Sequence, residues 1–122
     1  MAAIDLSAAD RTSWPYGVAS LATTWQEFVL PPWCNQITIA GTEALYYSGS
    51  KGGTTASPVM PADGGAVNTT HSFQIPADTV IVMNIQGAPD TEVVGGGAKP
   101  TPSIFLASVS TLAALTIILE RI

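Results

Sequence analysis

The sequence predicts an all-β chain folded as a single antiparallel β-sandwich of jelly-roll-like type, and three observations predict it. Apolar and polar residues alternate over short stretches, as in "NQITIAG", where Ile37 and Ile39 share one face and Gln36 and Thr38 the other. Nine prolines and eleven glycines punctuate the chain, so little of it before residue 103 can hold a long helix. The stretches left between these breakers number about seven or eight, each the length of a strand, a spacing typical of sandwiches and jelly rolls.

In chain order, residues 1–22 are expected to form an extended N-terminal arm and residues 23–122 the sandwich domain. Within the arm, "DLSAADR" suits one helical turn capped by Ser7, and "WPYG" at 14–17 forces a bend. "TTWQEFVL" is rich in β-favouring residues and stops at Pro31-Pro32. "NQITIAG" and "EALYYSG" follow as strands, with Gly41-Thr42 as a tight turn between them. Residues 48–69 are a loop of Gly, Ser and Pro with a short strand around Val59. "THSFQIP" alternates again, Phe73 and Ile75 against Ser72 and Gln74, and Val80 to Met83 is apolar without a break. Residues 87–102 form a second long loop.

The closing "SIFLASVSTLAALTIILERI" carries no charge before Glu120. The uncharged run from Pro100 to Leu119 is long enough to cross about 30 Å of hydrocarbon as a helix. Two prolines at its start, six Ser or Thr residues and the lack of a basic flank argue against a span. "SIFLAS" and "ALTIILER" are instead expected as a β-hairpin around "SVST". Leu115, Ile117 and Leu119 then share one face, and Thr116, Ile118 and Glu120 the other. Ile118 points outward.

Charged residues make up only 11% of the 122, against a usual share of about 25%. Ser, Thr, Gly, Pro and Ala must therefore cover the surface, and such a surface is weakly solvated. Val80 to Met83 and Ile117 to Leu119 are also apolar on both faces, whereas an antiparallel sheet normally turns one alternating face to water. Both features predict burial in an assembly. The net charge of −5, with Arg11, Lys51, Lys99 and Arg121 far apart, argues against nucleic-acid binding. The N-terminal "MAAIDLSAADRTSW" has no apolar signal core, so synthesis in the cytoplasm is expected and the Asn68 glycosylation sequon is taken as chance.

No residue pattern points to catalysis, a cofactor or a metal. Cys34 is the only cysteine, which excludes an internal disulfide, and is expected as a small buried thiol. His71 is the only histidine and is expected as a structural or surface side chain. "GSKGGTT" places Lys51 before the last glycine pair and lacks a following helix, so it is a loop and not a phosphate cradle. Asp63 and "PDTE" at 89–92 lack calcium-loop spacing. Trp25 belongs to a strand and is expected in the core. Trp14 and Tyr16, in the arm, are candidate interface anchors together with Ile118, because Trp and Tyr are the usual anchors of protein contacts.

The layout resembles the small virion structural proteins of tailed bacteriophages, capsid decoration (cement) proteins of jelly-roll type. The resemblance rests on the Trp-containing arm, "WQEFVLPPWCNQITIAG", "ALYY", the small-residue loops, "FQIPADT" and "IFLASVSTLAALTIILER". It implies a sandwich on the capsid exterior, bound to the major capsid protein, self-associated as a dimer or trimer, assembled in the host cytoplasm and without enzyme activity. Three alternatives stay open: another virion part such as a tail, head-completion or receptor-binding subunit; a carbohydrate- or calcium-binding module using Trp33, Tyr46, Tyr47 and the loop acids; and a membrane protein anchored by residues 103–119.

Overall fold

The computed structural model describes residues 3–9, 14–48, 64–67, 72–84 and 103–121. These residues form nine strands and no helix: β1 (Ile4–Asp5), β2 (Trp14–Leu21), β3 (Gln26–Val29), β4 (Gln36–Gly41), β5 (Leu45–Ser48), β6 (Phe73–Ile75), β7 (Val80–Asn84), β8 (Ser103–Ser108) and β9 (Ala113–Glu120). Sheet I has the order β1-β3-β8-β5-β6 and sheet II the order β2-β9-β4-β7. Every pairing is antiparallel except the short parallel match of β1 with β3. The expected Val59 strand lies outside the described residues.

The two sheets close on one core. Sheet I contributes Phe28, Leu45, Ile75, Ile104 and Leu106, and sheet II contributes Ile37, Ile39, Leu115, Ile117 and Leu119. The period-two pattern puts them there, since each lies on the inward parity of its strand. Each such side chain stabilises the fold by about 1.5–3 kcal/mol relative to exposure.

The N-terminal segment is part of the sandwich and does not extend from it as an arm. β1 pairs with β3, and β2 pairs with β9 over its length, with a register shift between Val18 and Leu21. Pro15 does not bend the chain as expected. It sits in β2 at the margin of sheet II, the kind of strand in which proline is tolerated because only one side is paired. The expected helical turn is a tight turn at Ser7 and Ala8, and Asp5 is its acceptor: Ser7 N donates to Asp5 Oδ1 at 2.9 Å. These Ser7 hydrogen bonds hold the Asp5 carboxyl below its ordinary value. Leu6 N donates to Val29 O at 2.7 Å and the Trp33 indole Nε1 donates to Ala9 O at 2.9 Å, which ties the segment to the loop after β3.

Two expected local turns are crossings between sheets. β4 belongs to sheet II and β5 to sheet I, so residues 42–44 carry the chain from one sheet to the other. Gly41 leaves room at this corner: a Cβ there would lie 2.9 Å from Leu45 Cδ1 and would displace that buried side chain. Likewise β8 and β9 are not a hairpin: β8 lies between β3 and β5, and β9 between β2 and β4. The intervening "SVST" is a corner closed by a Ser108 hydroxyl that donates to Thr111 O. Asp78, with φ of 54°, turns β6 into β7, and its N–H donates to Gly41 O at 3.0 Å.

Candidate interaction surface

The outward parity of sheet II builds a surface row by row. One row runs Pro15, Ile118, Thr38, Val82, and the next runs Gly17, Thr116, Ala40, Val80, each across β2, β9, β4 and β7. A third runs Glu120, Gln36, Asn84, where Gln36 Nε2 donates to Asn84 Oδ1 at 3.3 Å. Glu120 is the one charged side chain on these three rows. Val80 and Val82 are 67% and 56% exposed, and Ile118 is half-buried between its neighbours. Nothing lies within 4 Å of where a Gly17 Cβ would stand. Four strands at about 4.8 Å spacing and five residues at about 3.3 Å rise give a patch on the order of 300 Å².

Sheet I treats its outer face differently. β8 is buried along its whole length, because Phe105 and Ala107 form a second apolar cluster with Trp25, flanked by Tyr46 and Val67. Trp25 meets Phe105 edge-on, ring centroids 6.2 Å apart. Residues 64–67 close over this cluster: Gly64 N donates to Trp25 O at 2.7 Å and Trp25 N to Gly65 O at 2.8 Å. The Ser103 hydroxyl donates to Glu27 Oε2 at 2.8 Å on the same face. A strand apolar on both faces is thus covered by this chain itself in sheet I. The apolar positions of the sheet II rows carry no comparable cover among the described residues.

The three candidate anchors converge on the β2–β9 pair but not on one face. Ile118 lies on the outward rows. Tyr16, in register with Ile117, is half-buried and packs against the core of its own sandwich. Trp14 is in register with Leu119. Pro15, Thr38, Val80 and Val82 complete the surface, and the unbroken apolar run Val80 to Met83 was the signal for two of them.

The remaining candidates among the described residues pack into the fold. Cys34 is fully buried, its thiol donates to Gln36 O at 3.4 Å, and burial pushes its pKa up. Tyr47 is half-buried against the core and meets Phe73 edge-on at 5.5 Å, and burial raises its phenol too. Trp33 packs against the core, and Arg121 Nη1 donates to its carbonyl at 3.3 Å. Among the described residues no group of three His, Cys, Asp or Glu side chains is placed to hold a metal, and no helix is long and apolar enough to cross a membrane. His71, Lys51 with its glycine loop, Asp63, Asn68 and the carboxylates at 89–92 lie outside the described residues. No protein-family model, curated protein or solved structure matches this chain.

Proposed function

We propose that this chain is a non-enzymatic virion structural protein, a capsid decoration (cement) protein that docks on the outside of the major capsid protein lattice. The observation that carries this reading is the outer face of sheet II, whose three rows are uncharged but for Glu120 and apolar at Val80, Val82 and Ile118. Water solvates such a face poorly, so association is favourable. A patch on the order of 300 Å² is less than the roughly 800 Å² per partner of a stable interface. One copy would hold weakly, whereas many copies on one lattice stabilise the shell by mass action and gain from avidity.

The strand order supports the jelly-roll part of the reading. With β1 set aside, β2-β9-β4-β7 faces β3-β8-β5-β6, and every connection except β5 to β6 crosses between sheets. That wrapping is the order expected of a double-sheet jelly roll, an architecture used by viral capsid domains and also by lectins, so it supports the proposed class of fold and does not by itself give the activity.

The test is the mass of native material. Copurification with a particle far larger than the 12.6 kDa chain, at hundreds of copies per particle, is the expected result. A chain found only in low-mass fractions, or at a few copies per particle, overturns the decoration reading.

A further inference from the structure

The four strands at the margins of the two sheets are not alike. β1 has two residues and β6 has three, too short to template a neighbour. β2 carries Pro15 and a register shift, both devices that blunt an edge. β7 has none of these. Its five residues, "VIVMN", match β4 without irregularity, contain no charge and no proline, and are bonded on one side only among the described residues. Among the described residues, three of the four exposed large apolar side chains, Phe73, Val80 and Val82, lie on the continuous β6–turn–β7 unit.

We infer that β7 is a dimerisation edge, on which the β7 of a second copy pairs antiparallel about a two-fold axis at Val82. Five residues with a central one are self-complementary under that symmetry: Val82 faces Val82, Ile81 faces Met83, and Val80 faces Asn84. The charge balance favours a second copy. A chain of net charge −5 meeting itself generally opposes acid to acid, but this register opposes only uncharged residues. Ile81 and Met83 are half-buried at the margin of the core, and the partner's Met83 and Ile81 cover what remains. The product is one continuous eight-stranded sheet, two copies of the four-stranded sheet II. Its outer face stays open, so the inference gives a site to the self-association expected from the sequence and holds whether or not that face docks on a capsid.

Sedimentation of the purified chain tests it. The wild type is expected to move from 12.6 kDa toward twice that mass on concentration. Val82→Lys and Val82→Asp each place like charges directly opposite across the axis, and are expected to weaken dimerisation by about tenfold or more while folding normally, since that side chain is largely exposed in the monomer. An equimolar mixture of the two is expected to restore the dimer as a Lys–Asp pair. Val82→Cys should form a disulfide-linked dimer on mild oxidation, which keeps the test alive if a charged variant misfolds. Ile118→Asp, on the open face, should leave the dimer intact while losing lattice binding, which separates this inference from the capsid reading. A wild type that stays monomeric at every concentration overturns the inference. So does a folded Val82→Lys that dimerises like the wild type, or a mixture that remains monomeric.

Discussion

Ile117 and Ile118 are neighbours on β9 with opposite surroundings, and their replacement by aspartate should separate folding from docking. Ile117 is fully buried between Tyr16 and Ile39 on the inward row. Ile117→Asp forfeits about 2–3 kcal/mol of apolar burial and leaves an uncompensated buried charge worth about 3–5 kcal/mol. The total, about 5–8 kcal/mol, is comparable to the lower part of the roughly 5–15 kcal/mol stability of an ordinary domain. Ile118 is half-buried between Pro15 and Thr38 on the outward row. Ile118→Asp should cost about 1 kcal/mol of burial and up to about 1 kcal/mol of strand preference. Urea unfolding followed by circular dichroism reads the difference. The Ile118 variant should unfold cooperatively near the wild-type midpoint, and the Ile117 variant should show no transition because it is already unfolded. Equal destabilisation of the two, or the reverse order, would refute the register of β9 and the surface built on it.

Gly41→Ala should destabilise by about 1–3 kcal/mol, seen as a lowered thermal midpoint, because the new methyl collides with the fully buried Leu45. Trp33→Phe keeps an aromatic ring but removes the donor to Ala9 O, and should cost about 0.5–1.5 kcal/mol with faster amide exchange over residues 3–9. The pH dependence follows from Cys34 and Tyr47, whose folded pKa values burial raises. The unfolded chain releases these protons first, so stability is fully present at neutral pH and falls from about pH 8.5 upward, by at most about 1.4 kcal/mol per pH unit for each group. Cys34→Ala should remove the earlier part of that alkaline decline in urea titrations, and an unchanged decline would refute the assignment to the thiol.

How much of this was legible in the sequence depends on distance along the chain. Ile37 with Ile39, and Leu115 with Ile117 and Leu119, announce their buried face through a period of two, which is local geometry. The same rule placed Ile118 outward without any knowledge of its neighbours. Pro15 misled, because whether a proline breaks a strand depends on whether another strand needs its N–H, and only the edge position of β2 answers that. "SIFLAS" and "ALTIILER" looked like a hairpin because proximity in sequence favours pairing, yet the strands divide between two sheets.

The amino-acid order by itself determined the all-β class, most strand positions, the inward parity and the shortage of charge, since each depends on residues a few positions apart. Tertiary structure alone decided which apolar faces stay open. β8 is covered by Trp25 and residues 64–67, while the outer face of sheet II has no such cover among the described residues, and the edge of β7 is paired on one side only. Those outcomes rest on strand pairings between distant segments, where hydrogen-bond register and shared burial, not local preference, choose the partner.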